Sequence, residues 1–337
     1  MKVWLPFITG GSGSDVFTRY LARGLQATGH QVELQQFASF WQYCPWGLRF
    51  IPAPPATDIV LANSWNAFAF KRKGIKLVAV EHLFVLDPAL LPYKTFPQAV
   101  FHNTFVKYFE NATNKQADEL VAVSQYTANA YQRVLGGKLP RVILNGVDTT
   151  FFCPGSKGKQ PLDNRVFRML FVGNLSRRKG ADLLLKIMEG LGPGFELSYT
   201  SGLRVDDMFK NSRQMNPLGR LDQSQVRAAY RKADVLLFPT RLEGLPLAAI
   251  EAMACGTPVV ASNTSSLPEV VEDCVNGRLC AKDDVSGFCT VLQEISKAPE
   301  ELTKLGKMAN EMAVRYFSID RMVEDYVQVF SSDRLRR

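Results

Sequence analysis

The sequence predicts an α/β chain of two doubly wound, Rossmann-like domains, and three observations carry that prediction. Short apolar runs alternate with segments of helical periodicity along most of the chain, the pattern of parallel sheets covered by helices. The alternation is interrupted at Cys153-Pro-Gly-Ser-Lys-Gly-Lys-Gln-Pro-Leu-Asp-Asn-Arg165, a polar linker rich in Gly and Pro, and restarts at Phe167. A length of 337 residues suffices for two domains with separate cores.

In the first half, strand-like runs fall at 2–8, 31–37, 58–62, 76–80, 119–123 and 141–144. Helical patterns lie between them at 15–28, 98–116 and 125–135, the first with Val16, Tyr20, Leu21 and Leu25 on one face and Gly29 as C-cap. In the second half, strands are expected near 167–172, 195–200, 234–238 and 258–261. Helices are expected near 180–190, 222–232, 246–254, 284–298 and from 299 to about 331. Two such domains in series would face each other across a cleft, and ligands of doubly wound sheets bind outside the strand carboxyl ends.

A hydrophobic content of 46% with 21% charged residues is that of a globular protein, which excludes disordered and fibrous classes. No apolar run reaches the length of a membrane span, and Met1–Ile8 reads as a first strand rather than a leader peptide. The six cysteines form no Cys-x-x-Cys pair and no metal spacing, so reduced thiols and a cytoplasmic location are expected. The net charge of +8 is uneven: residues 1–160 carry 16 Lys and Arg against 9 Asp and Glu, and the remainder 24 against 23. A basic first half suits a phosphorylated acceptor or an anionic membrane, giving an expectation of peripheral attachment to the inner face; the alternative is a generic solubility charge. No basic stripe with stacking residues points to nucleic acid.

The chemistry-bearing stretch is Glu243-Gly-Leu-Pro-Leu-Ala-Ala-Ile-Glu251. It follows the apolar run Ala233-Asp-Val-Leu-Leu-Phe-Pro239, a buried parallel strand stopped by proline. Gly244, Leu245 and Pro246 then lead into a helix, whose N-terminus offers backbone N–H groups to an anion. Glu243 in the loop and Glu251 two turns along the helix are placed to accept hydroxyl groups, and a polyol at each end of a diphosphate describes a sugar nucleotide. The plain alternative for each glutamate is a solvated helix face. Lys179 and Arg178 stand after a strand at the start of a helix, where capping rules favour acidic residues; cations there suit a phosphate. His82 ends the run Lys76-Leu-Val-Ala-Val-Glu-His82 and is placed at a strand's C-terminal edge, with a hydrogen-bonded core histidine as the alternative.

This wording resembles the E-x7-E motif of retaining glycosyltransferase family 4 (glycosyl transferases group 1). Met169-Leu-Phe-Val-Gly-Asn-Leu-Ser-Arg-Arg-Lys-Gly180, Asn145-Gly-Val-Asp148, Ser266-Leu-Pro-Glu-Val-Val271 and the loop Gly10-Gly11-Ser12-Gly13 resemble further family segments in the same order. The resemblance implies the GT-B fold, with residues 1–152 as an acceptor-side domain, 153–317 as the nucleotide-sugar domain, and a last helix (about 318–337) crossing back onto the first. It implies retaining transfer from a UDP- or GDP-sugar to a lipid-linked or saccharide acceptor in cell-surface glycoconjugate synthesis, without metal or cofactor. By the same resemblance His82 contacts the donor sugar, and His82, Glu243 and Lys179 are catalytic. Gly11, Ser12, Gly13, Asn174, Arg178, Lys179, Leu221, Glu243, Gly244, Leu245, Pro246 and Glu251 would bind the donor, with base recognition in a loop at Leu218-Gly-Arg-Leu221. Asn174 departs from the Arg usual in the family, leaving Arg178 as the nearest second cation. Retaining transfer in the family needs no protein nucleophile, and no carboxylate pair in the first half reads as the nucleophile and acid of a glycoside hydrolase. A sugar-nucleotide epimerase of similar scaffold and a non-catalytic partner subunit are the readings from other classes.

Two segments, 37–55 and 84–109, are unusually aromatic, and Lys94 and Lys107 interleave with the second. Core packing with an oligomer contact is one reading; an exposed apolar rim for a lipid-linked acceptor or membrane is the other.

Overall fold

The computed structural model describes residues 1–11, 13–155, 165–200 and 214–332, so Ser12 and most of the expected linker lie outside the described residues. The chain divides into two units: Met1–Gly146 together with the segment from Ser318 onward, and Val147–Phe317.

Unit 1 is built on a six-stranded sheet in the order β2-β1-β3-β4-β5-β6, every pairing parallel. The strands are β1 (Lys2–Ile8), β2 (Gln31–Phe37), β3 (Ile59–Asn63), β4 (Lys76–Glu81), β5 (Glu119–Ala122) and β6 (Arg141–Val142). Strands β1, β3 and β4 are apolar and buried apart from polar residues at their ends, as both-faces-covered parallel strands must be. The helices are α1 (Gly13–Ala27), α2 (Ser64–Ala67), α3 (Phe96–Phe101), α4 (Lys107–Gln116), α5 (Gln125–Leu135) and α11 (Ile319–Ser331). Helix α1 buries Tyr20, Leu21 and Leu25, as its periodicity predicts, whereas Val16 is only half-buried and Phe17 is the buried residue beside it.

Helix α11 packs on α1 at Gly24, where an added Cβ would lie 2.5 Å from Val323 Cγ2 and 2.6 Å from Ile319 Cγ2. The missing side chain is what lets the two helices approach. Gly24→Val is therefore expected to destabilise unit 1 by about 1–3 kcal/mol through overpacking. Urea unfolding checks this, and adding Val323→Ala should restore part of the loss; equal stability of wild type and Gly24→Val would disprove the close contact.

The single helix expected over 98–116 begins earlier and is broken. Thr95 and Gln98 form a reciprocal capping box ahead of α3, and a π-helical turn, His102–Val106, separates α3 from α4. Hydrophobic periodicity cannot reveal such a turn. Phe50, Phe96, Phe105 and Tyr108 from the two aromatic segments are exposed, whereas Phe84 and Phe109 are core.

Unit 2 has a second all-parallel six-stranded sheet, in the order β12-β11-β10-β7-β8-β9. Its strands are β7 (Phe167–Phe171), β8 (Phe195–Thr200), β9 (Met215–Gly219), β10 (Val235–Phe238), β11 (Val259–Ser262) and β12 (Gly277–Cys280). Its helices are α6 (Ala181–Leu191), α7 (Gln223–Lys232), α8 (Leu247–Ala254), α9 (Val285–Ser296) and α10 (Pro299–Tyr316). The sequence expected neither β9 nor β12. Both are sheet edges: Pro217 is tolerated in β9 only because an edge strand can spare a donor, and Met-Asn-Pro-Leu-Gly carries no strand alternation. The assignment of Leu218-Gly-Arg-Leu221 as a loop is corrected accordingly, since Leu218 and Gly219 end β9 and only Arg220 and Leu221 connect to α7. Among the described residues no helix is long and apolar enough to cross a membrane.

Candidate active site

In unit 2 the strand order reverses direction between β7 and β10, so the loops leaving these two strands diverge around a crevice. Such a switch point is where doubly wound sheets bind ligands. The loop after β7 carries Arg178 and Lys179; the loop after β10 carries Glu243. Lys179 lies in the turn two residues ahead of α6, not inside its first turn.

Three donors converge on one oxygen of Glu243. Lys179 Nζ is 2.6 Å from Glu243 Oε1, Arg178 Nη1 is 3.2 Å away, and Thr240 Oγ1 donates to it at 2.8 Å. Glu243 is buried. Burial pushes its carboxyl up, but Lys179, Arg178 and Thr240 outweigh this, leaving it below the usual carboxylate range. Burial holds Lys179 below its ordinary value, and Glu243 offsets this only in part. Lys179 also sits over the Phe238 ring, 5.3 Å from its centroid. The result is a buried, strongly coupled cation–carboxylate cluster at the crevice.

The turn that presents Lys179 depends on Gly180. Its φ is +73°, and a Cβ there would meet Pro239 O at 2.1 Å, so only glycine lets this turn pass against the end of β10. Arg241 staples the two loops together. Its backbone N–H donates to Arg178 O at 2.8 Å, and its guanidinium grips Asp182 bidentately at 2.6 and 2.9 Å. The same guanidinium bonds Asp283 and the Arg177 carbonyl. These carboxylates hold Arg241 protonated, raising its already high basicity, with the Asp182 bond foremost. Arg241 carries no signal in the sequence because its partners, Asp182 and Asp283, are distant along the chain. The serine loop after β11 completes the frame: Glu243 N–H donates to Ser265 Oγ at 2.9 Å, and Ser266 Oγ donates to Glu243 O at 3.2 Å.

Gly244, Leu245 and Pro246 are buried and lead into α8, whose start has no side-chain cap. Such an uncapped start keeps the positive end of the helix dipole available to an anion. Glu251 is not part of the Lys179 cluster: its Oε2 accepts from Tyr230 OH of α7 at 3.1 Å. Asn174 is exposed in the loop after β7. Leu221 lines a separate cavity of about 690 Å³ with Leu218, Gln225 and Ala229, and none of Arg178, Lys179 or Glu243 lines it.

In unit 1, Gly10 and Gly11 donate their N–H groups at 3.0 and 2.9 Å to Asp15 Oδ2, which Thr9 Oγ1 also bonds at 3.2 Å. The Gly11 amide, expected to face a diphosphate, is thus bonded to the chain's own carboxylate. Asp15 is the acidic residue in the first turn of α1, a standard preference at a helix N-terminus. Gly13 is exposed where α1 begins, and Ser12 lies outside the described residues. His82 immediately follows β4, half-buried, with its ring edge-on to Phe17 at 4.6 Å. Burial lowers its pKa to about 4, so the imidazole is neutral at physiological pH.

Two family models match this chain: Glycosyl transferases group 1 over residues 166–297, and Glycosyltransferase Family 4 over residues 41–151. A D-inositol 3-phosphate glycosyltransferase from Catenulispora acidiphila is 28% identical over 320 residues, covering 84% of this chain and 75% of that protein. An uncharacterized protein of the cps region of Klebsiella pneumoniae is 28% identical over 275 residues, covering 79% of this chain and 74% of its own. Among solved structures, sucrose-phosphate synthase from Thermosynechococcus elongatus superposes with TM-score 0.83 at 19% identity, over 99% of this chain and 100% of that one. Anabaena HepE, solved with UDP-glucose, superposes with TM-score 0.76 at 18% identity, over 98% and 100%. At these identities the solved structures speak to the fold, which is GT-B.

Proposed function

Since the chain belongs to the group 1, family 4 glycosyltransferases, we propose that it moves a hexose from a nucleoside-diphosphate sugar to an acceptor hydroxyl with retention of configuration. The observation that carries this reading is the convergence of Lys179 and Arg178 at the β7–β10 switch point, beside the uncapped start of α8. Paired cations and a helix N-terminus match the charge of a diphosphate. HepE was solved in complex with UDP and with UDP-glucose, which supports a uridine nucleotide sugar as the first donor to test.

In the proposed reaction the bond between the anomeric carbon and the β-phosphate oxygen breaks, and the electron pair leaves with the nucleoside diphosphate. The acceptor hydroxyl adds from the same face, and its proton passes to the departing phosphate oxygen. Lys179 and Arg178 turn from Glu243 toward the phosphate and stabilise the charge developing there. Glu243, freed from part of its cation contact, accepts sugar hydroxyls, and Glu251, oriented by Tyr230, accepts those of the ribose. His82 contacts the transferred sugar as a neutral imidazole. No cofactor or metal takes part in this scheme.

For the acceptor we favour a lipid-linked saccharide. Segments 37–55 and 88–109 contain no Asp or Glu, and they expose Phe50, Phe96 and Tyr108 beside Arg49 and Lys107. An acid-free aromatic face suits peripheral contact with an anionic membrane where such an acceptor resides.

The direct test is proton NMR of the anomeric signals during turnover with UDP-glucose and alternative UDP- and GDP-sugars. Product of the donor's configuration supports the reading; an inverted anomer removes it. Glu251→Gln should weaken UDP binding by about 1.5–3 kcal/mol, the range for a hydrogen bond to a charged partner, while folding normally. Wild-type affinity by calorimetry would take the ribose role from Glu251.

A further inference from the structure

Behind the His82 turn, unit 1 buries two carboxyl groups against one hydroxyl. Ser64 Oγ of α2 lies 2.8 Å from Glu81 Oε2, at the end of β4, and 3.0 Å from Glu110 Oε1 of α4. Glu81 is 5% and Glu110 2% exposed, so both carboxyl groups are cut off from water. A serine hydroxyl has one proton to donate, and two carboxylates have none. With both carboxyls ionised, one of the two oxygens beside Ser64 Oγ would face it with no proton between them, so the double contact requires a proton on one carboxyl.

We propose that Glu81 and Glu110 share a single proton, with Glu110 the neutral partner, and that this pair is the positioning element for His82.

The assignment follows from what each carboxyl must accept. Glu81 Oε1 accepts the Leu83 N–H at 3.1 Å. This amide belongs to the turn by which the chain leaves β4, so Glu81 caps that turn and fixes the direction in which the imidazole departs. An N–H donor on one oxygen and the Ser64 hydroxyl on the other favour an ionised Glu81. Glu110 has no comparable donors: Ser64 meets its Oε1 and its Oε2 is buried without a hydrogen-bond partner, so Glu110 is the carboxyl that takes the proton. The remaining titratable group facing the pair is Tyr131 of α5, whose hydroxyl is buried without a partner and is pushed well above its ordinary range. Burial raises both carboxyls, Glu81 to about 7 and Glu110 well above its ordinary value with the Glu81 charge adding to the effect. Two such groups titrate as a pair.

The consequence for activity rests on the role proposed above for His82. Loss of the shared proton sets two negative charges in contact, opens the cluster and releases the His82 turn. Turnover should then fall on the alkaline side while donor affinity holds. The stability contribution has the same sign. A carboxyl whose folded pKa is raised stabilises below its ordinary value of 4.5 and loses that contribution as pH rises through about 7 and beyond.

The experiment combines carbon NMR of labelled glutamate carboxyls with kcat and KM against pH, for wild type, Glu110→Gln, Ser64→Ala and His82→Ala. Wild type should show two raised carboxyl resonances, and the one that stays protonated to the higher pH should be absent in Glu110→Gln. The alkaline fall in kcat should flatten in Glu110→Gln, whose amide mimics the neutral acid. Ser64→Ala should lower kcat about tenfold with donor KM within about twofold, the split expected when an interaction serves the transition state alone. Full ionisation of both carboxyls at pH 6, or an unchanged alkaline fall in folded Glu110→Gln, overturns the shared proton. Normal kcat in folded Ser64→Ala overturns the positioning role. A fully active His82→Ala with the carboxyl titration intact instead defeats the reading of His82 on which that role depends.

Discussion

Lys179→Ala is expected to lower kcat/KM for the nucleotide-sugar donor by about 10²–10³-fold, the scale for removing one preorganised charge-stabilising group. Calorimetry should also show weaker nucleoside-diphosphate binding, because the ammonium serves both the bound and the transition state. Part of the loss would have another origin. Removing Lys179 leaves Glu243 buried with Arg178 and Thr240 as its donors, so the carboxyl moves up toward its neutral form. The double variant Lys179→Ala, Glu243→Gln separates the two effects: any affinity it regains over Lys179→Ala measures the cost of the stranded carboxylate. Unchanged affinity and rate in Lys179→Ala would make the lysine a structural partner of Glu243 and nothing more.

Arg241→Ala is expected to reduce the stability of unit 2 by about 2–3 kcal/mol. That lies below the 3–5 kcal/mol typical of breaking a buried ion pair, because Asp182 and Asp283 stay partly exposed and water compensates them. The larger consequence is geometric. Without the guanidinium the β7 and β10 loops keep few mutual bonds, Arg178 to Leu242 O and Thr240 to Arg178 O among them. Lys179 and Glu243 then lose register, so kcat should fall even at temperatures where the variant is folded. Arg241→Lys should recover little, since one ammonium cannot reproduce a fork shared among two carboxylates and a carbonyl. Guanidinium unfolding and donor kinetics test both halves. Wild-type stability together with wild-type kinetics would refute the clamp.

Much of the fold was legible because parallel strands buried on both faces are written as unbroken apolar runs. Lys76-Leu-Val-Ala-Val-Glu81 and Val235-Leu-Leu-Phe238 announce themselves locally. Edge strands lack that signal: β9 holds a proline and β12 opens on glycine, so neither reads as a strand. The candidate site shows the same division. Glu243 and Lys179 stand out by breaking local rules, one beside a turn within an apolar context, the other where a helix start prefers acid. What they bind to in the folded chain does not show locally. Nothing near Glu110 in sequence points to Glu81, and Asp15 looks like an ordinary helix-start acid although it fills the Gly10–Gly11 amides. Arg241 reads as a surface residue after a strand; only the tertiary fold brings Asp182 and Asp283 to it.

Unit 1 is assembled from two stretches of chain with all of unit 2 between them. During synthesis, the face of α1 around Gly24 and Phe17 emerges long before α11 and its Val323 and Tyr326. At ordinary elongation rates of about 5–20 residues per second, the delay is roughly 15–60 s. Through that interval unit 1 lacks one of the helices that cover its sheet, whereas unit 2 is one continuous stretch whose sequence is complete before α11 is made. The unit that is started second is therefore finished first.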